Sequence, residues 1–286
     1  MNHAALLALA ASLLATPATA EPPWRQVWAD AFDGASLDLS KWSYAEDCGG
    51  GGNHERQCYT AAPANVLVKD GTLRLTALRQ ATTGIANPWN GSKATRTLGY
   101  SSGKIISQGK ASWRYGRVEA RARTPGGQGV WPAIWMMPEA SAYGDWPRSG
   151  EIDILETINL GAPCEDCEGG RENRIFGTIH FADAAGEHRH QTGQTVPAAT
   201  SDGFHVYAVE WSPEAIVWSV DGRPYAQAKA ADWSSTGRAA PFDQPFHLIL
   251  NLAFGGDWPE GANARGVDDG ALPAVFEIDW VRVSQR

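Results

Sequence analysis

The chain has 286 residues, 43% of them hydrophobic, and a formal net charge of −8 from 24 basic and 32 acidic side chains. That length and apolar content suit one large all-β domain with a substantial core. The acidic balance and the lack of Lys/Arg clusters argue against a nucleic-acid partner and leave a neutral carbohydrate open.

Residues 1–20 read as a secretory signal. An apolar run from Ala4 to Ala15 leads to Ala18-Thr19-Ala20, a small-residue cleavage pattern. An uncleaved anchor is the competing reading, since the start carries only His3 and the terminal amine, but the run is short for a membrane span. The mature chain is expected to begin near Glu21, and no later stretch is long and apolar enough to cross a bilayer. The expected location is therefore secreted or periplasmic.

The cysteines fall in two local groups, Cys48 with Cys58 and Cys164 with Cys167. In an exported chain an even count points to disulfides, and local pairing is the expectation among the three connectivities that four cysteines allow. A redox Cys-x-x-Cys would want a βαβ pattern, which is missing. A zinc site using His54 has poor ligand spacing.

From Val27 to Val283, short alternating segments are separated by Gly, Pro, Asn and Asp. Strands are expected at Thr72–Leu78, Gly116–Arg123, Phe204–Trp211, Ala215–Val220, Phe246–Leu252 and Val275–Val283. Ser212-Pro213-Glu214 and Asp221-Gly222 read as turns around Ala215–Val220. Gly161–Asn173 reads as a surface loop. With no long helical period and no repeat, the pattern predicts a β-sandwich of jelly-roll type, two antiparallel sheets with a concave sheet forming the cleft. On Gly116–Arg123, Val118, Ala120 and Ala122 alternate with Glu119, Arg121 and Arg123. The charged face is either an ordinary solvated face or a cleft wall whose Glu119 and Arg121 bond sugar hydroxyls.

The most informative stretch is Gly150-Glu151-Ile152-Asp153-Ile154-Leu155-Glu156. Three carboxylates sit among side chains that favour a core-packed strand. Burying them together costs desolvation and repulsion, a cost met most readily where acids do chemistry. Strand alternation puts Glu151 and Asp153 on one face but turns Glu156 to the other. One extra residue, a bulge near Ile154-Leu155, restores the alignment. The glutamate α-carbons would then be ~13 Å apart, and their carboxyls could close to ~5–6 Å, the separation for a retaining glycosidase. The alternative is a solvent-exposed acidic edge strand, which the apolar Ile152, Ile154 and Leu155 oppose.

Thirteen tryptophans offer apolar faces suited to pyranose rings. Trp131 and Trp135, on the element leading to the acids, are the candidate sugar platforms, and Trp258 in a Gly-rich loop could line the rim. Trp28, Trp42, Trp211 and Trp280 follow strand patterns and are expected in the core.

Several further blocks accompany the acids. They are Tyr115-Gly116-Arg117-Val118-Glu119-Ala120-Arg121, the run Gly127 to Met136, Gly177-Thr178-Ile179-His180, Phe204 to Trp211, and Leu248 to Ala253. In this order they resemble glycoside hydrolase family 16, and within it the laminarinase-like endo-β-1,3-glucanases, over nearly the whole mature chain. The resemblance implies retaining hydrolysis of a β-glucan polysaccharide by an enzyme needing no catalytic cofactor. It implies Glu151 as nucleophile, Glu156 as acid/base, and Asp153 as the group that tunes the nucleophile. It also implies sugar contacts from Asn53, Glu119, Arg121, Trp131, Trp135 and His180, and a structural calcium matched by Asp279 and the Gly71 backbone. The family often reads Asn-Asn-Glu-Leu-Gln-Tyr-Tyr where this chain has Asn53-His54-Glu55-Arg56-Gln57-Cys58-Tyr59, a change expected to reshape one end of the cleft. A monomer is expected. The competing functions are action on another β-glycan, such as mixed-linkage glucan or galactan, transglycosylation, and non-catalytic glucan binding.

Overall fold

A computed structural model of the chain describes residues 22–196, 203–233, 240–263 and 265–286. The expected signal, 1–20, and the expected start at Glu21 lie outside the described residues. Among the described residues no helix is long and apolar enough to cross a membrane.

Two antiparallel sheets pack face to face. The site sheet runs, edge to edge, through His188–Thr195, Ile175–Ala182, Glu151–Glu156, Val130–Pro138, Phe246–Phe254, Lys104–Ile106 and Ser43–Tyr44. The second sheet runs through Arg223–Lys229, Ala215–Val220, His205–Trp211, Gly116–Arg123, Ala274–Gln285, Thr72–Ala77 and Val66–Lys69, with Arg25–Asp30 also paired to Ala274–Gln285. This is the jelly-roll sandwich that the short alternating segments require. Gly116–Arg123 and Ala215–Val220 have the expected bounds. Asp221 and Gly222 both have positive φ, 50° and 74°, the signature of a tight hairpin matched to strand twist.

Alternation builds the core. Val118, Ala120 and Ala122 from one sheet share a single apolar cluster with Ile134, Met136, Ile152, Leu155, Ile179 and Leu250 from the other. Burying each aliphatic side chain of Leu or Ile size contributes roughly 1.5–3 kcal/mol. Both cysteine groups are closed as the expected local disulfides, which takes their thiolates away from the zinc reading. His54 instead pairs with Asp257 at 2.9 Å.

Two expectations are corrected here. Glu119 and Arg121 lie on the second sheet, and their strand turns its apolar side to the core. They face away from the acids and form ion pairs, Glu119 with Arg117 and Arg121 with Asp279. Alternation had fixed their face but not their sheet. Trp280 is not core. A bulge at Asp279 breaks the alternation, so Trp280 sits opposite Arg121 on the outer face, with the Arg282 guanidinium 3.9 Å from its ring centre. At the expected calcium position the Asp279 carboxylate accepts from Arg121.

Candidate active site

The acid strand is bulged where parity demands. Against Val130–Pro138, Leu155 pairs with Ile134 and Asp153 with Trp135, leaving Ile154 as the extra residue. Against Ile175–Ala182, Asp153 pairs with Thr178 and Glu156 with Phe176, again with one residue to spare. Ile154 and Leu155 both turn into the core. Glu151, Asp153 and Glu156 are thereby left on the opposite, outer face of the sheet.

Local packing holds this strand. Gly150 has φ +80°, and a Cβ there would lie 2.9 Å from the Phe242 ring, so the entry to the strand needs glycine. Trp218, buried in the second sheet, reaches across to donate its Nε1–H to the Asp153 carbonyl at 2.8 Å. Its ring fills the space over Gly177, where a Cβ would meet it at 2.3 Å. The glycine of Gly177-Thr178-Ile179-His180 thus makes room for the anchor of the acid strand.

Each glutamate accepts an indole N–H. Trp146 donates to Glu151 Oε2 at 2.6 Å, and Trp131 donates to Glu156 Oε1 at 3.0 Å. His180 is the register partner of Glu151, and its Nε2 lies 3.3 Å from Asp153 Oδ2. One ligating atom each from Glu151, Asp153 and His180 fall within 4.8 Å of one another. Asp153 is buried while both glutamates are half-buried.

This crowding raises all three acids. Burial, then the Asp153 charge, pushes Glu151 up to about 8, against the pull of His180 and Trp146. Burial pushes Glu156 up to about 7, against His180 and the Trp131 hydrogen bond and helped by Glu151. Burial and Glu156 hold Asp153 well above the usual carboxylate range. The trio titrates as a unit, so these values belong to the cluster. At neutral pH it keeps protons while remaining able to lose them, the condition for acid/base work.

The remaining candidates separate into two groups. Trp135 is half-buried on the acid face and donates to Asn251 Oδ1 at 2.7 Å. Asn251 donates to Tyr59 Oη at 3.0 Å, and Tyr59 donates to Glu55 Oε2 at 3.1 Å. This chain of bonds ties the Asn53–Tyr59 segment to the sheet. Asn53 is exposed, and its carbonyl accepts from the Asp257 N–H at 2.8 Å, next to Trp258. Trp258 packs edge-on against Trp131, ring centres 5.3 Å apart, beside Glu156. Trp131 itself is only 9% exposed. It is not an open sugar platform as expected but a brace for Glu156, because Ile158, Ala253 and Trp258 enclose its ring. The sequence reading missed Trp146, Trp218 and Asn251. Trp146 sits five residues before Glu151, and a Trp-Pro pair in a Gly/Pro-rich turn beside an acid motif was the available signal.

Comparison with known proteins bears on this arrangement. A model described as glycosyl hydrolases family 16 matches residues 53–282. The chain is 40% identical over 275 residues to a β-glucanase of Rhodothermus marinus, covering 92% of this chain and 85% of that one. It is 38% identical over 276 residues to glucan endo-1,3-beta-glucosidase A1 of Niallia circulans, covering 90% of this chain but spanning only 37% of that protein. The X-ray structure of the laminarinase from Rhodothermus marinus superimposes with a TM-score of 0.75 at 38% identity, covering 92% of this chain and 98% of that one.

Proposed function

The chain belongs to glycosyl hydrolases family 16, and we propose that it is an exported, monomeric endo-glycosidase that hydrolyses β-1,3-glucan with retention. The observation that carries this reading is the bulge, which puts Glu151 and Glu156 on one face with Asp153 between them. A glucan reading is also supported by what the Rhodothermus and Niallia relatives are described as acting on. Export is supported by the two disulfides.

In the first step Glu151 attacks the anomeric carbon while Glu156 gives its proton to the departing glycosidic oxygen. The carbon–oxygen bond breaks and a glycosyl ester forms on Glu151. In the second step Glu156, now ionised, takes a proton from water, and the water oxygen displaces Glu151. Burial keeps the proton on Glu156 for the first step. Glu151 must meanwhile be ionised, against its own burial. The Trp146 N–H and His180 favour its charge, and a protonated Asp153 would donate to it. In this reading Trp135, His180, Asn53 and Trp258 meet sugar along the cleft.

Laminarin hydrolysis tests the assignment. Glu151→Gln should lose at least about a thousandfold in reducing-sugar release with an unchanged circular-dichroism spectrum. Retained turnover in that variant, or wild-type cleavage of mixed-linkage glucan or galactan but of no β-1,3-glucan, would reject the reading.

A further inference from the structure

The Glu151 end of the cleft has a support that the mechanism above leaves unused. His180 stands between Asp153 and His188. Its Nε2 is 3.3 Å from Asp153 Oδ2, and its Nδ1 is 2.9 Å from His188 Nε2. The two ring centres are 5.1 Å apart, and the rings are inclined by only 18°. A short nitrogen-to-nitrogen distance with that centre separation means that the rings meet edge to edge and share one proton. The His188 ring also packs against Trp146, centres 4.6 Å apart, and Trp146 is the donor to Glu151. His188 therefore touches both neighbours of the acids, the partner of Asp153 and the brace of Glu151. It does so from the edge strand His188–Thr195, outside every block that defines the resemblance.

We propose that His188 is a positioning residue for the Glu151–Asp153 end of the site. It accepts the hydrogen bond from His180 Nδ1–H, keeps His180 Nε2 beside Asp153 Oδ2, and holds the Trp146 indole on Glu151. The inference rests on the reading of Glu151 and Glu156 as the working acids. The charged and titratable groups around His188 are His180 from the neighbouring strand, Arg189 and His190 on its own strand, and, through His180 and Trp146, Asp153 and Glu151. Burial and the positive charges of His180, His190 and Arg189 hold His188 below its ordinary value, so it stays neutral and able to accept. His180 opposes the effect of burial on Glu151 and Glu156, so a His180 ring that loses its support on Nδ1 and moves off the acids leaves them less compensated.

The experiment compares the full chain with His188→Ala, His188→Gln and His190→Ala. His190 is the register partner of His180, ring centres 5.8 Å apart, but no hydrogen bond joins them. In His188→Ala the ascending limb of kcat/KM against pH on laminarin should move up by about half a pH unit or more, and kcat should fall about tenfold. In His188→Gln the amide oxygen can accept the same hydrogen bond, and the limb should return. His190→Ala should leave the limb where it is. Imidazole 15N spectra add a readout independent of turnover, in which His180 should lose its Nδ1-protonated signature in the Ala variant and keep it in the Gln variant. If the wild type cleaves no β-glucan, the functional reading falls while these spectra still judge the His180–His188 bond. An unshifted limb with an unchanged His180 spectrum in His188→Ala, or equal shifts in the Ala and Gln variants, would overturn the proposal.

Discussion

The indole of Trp131 shows how one hydrogen bond sets a proton affinity. Its N–H stabilises the charged form of Glu156 and so lowers a value that burial has raised. Trp131→Phe keeps a ring in the enclosure formed by Ile158, Ala253 and Trp258 and removes the donor. Glu156 should then hold its proton to higher pH. Because the first chemical step needs that proton, the descending limb of kcat/KM should move up by about half a pH unit. kcat should fall several-fold, because the second step needs the proton gone. Movement of the limb to lower pH would contradict the role given to Trp131. Sequence could name this residue as functional but not its part, because an aromatic that stacks on sugar and one that bonds a carboxylate look alike in one dimension.

At the scale of the element, the acid strand depends on a partner from the other sheet. Trp218→Phe preserves most of the ring over Gly177 but leaves the buried Asp153 carbonyl without its donor. The loss should destabilise the fold by about 1–3 kcal/mol, and kcat should fall more than KM rises, since the bulge carries both glutamates. Unchanged stability together with unchanged kcat would contradict the anchoring role. The bulge was legible because three acids five residues apart cannot share a face on a regular strand. Trp218 was not, because nothing in local spacing says which residue of a distant strand faces Asp153. Glu119 and Arg121 failed for the related reason that alternation assigns a face and not a sheet. Trp280 failed because the bulge at Asp279 has no acid pattern to announce it.

For the molecule as a whole, the site is a source of instability that varies with pH. Glu151 and Glu156 hold protons more tightly in the fold, to about 8 and about 7, than at their ordinary value of 4.5. Their stabilising contribution is complete below about 4.5 and is lost as pH rises through the folded values. Glu151→Gln and Glu156→Gln remove that dependence. Each variant should match the wild type in Tm near pH 4.5 and exceed it by a few degrees near pH 8.5. A gap that shrinks with rising pH would contradict the protonation described here. The sandwich was readable from turn residues and period-two segments, and the local disulfides from cysteine spacing. The calcium expectation came from resemblance alone.

The central claim is that one kinked strand aims two glutamates at the same glycosidic bond, so that the sugar passes through an ester on Glu151. Proton NMR of laminarin during the first moments of hydrolysis tests it most directly. The account predicts that the newly freed anomeric carbon appears first as the β-anomer and only later equilibrates, while initial release of the α-anomer would contradict it.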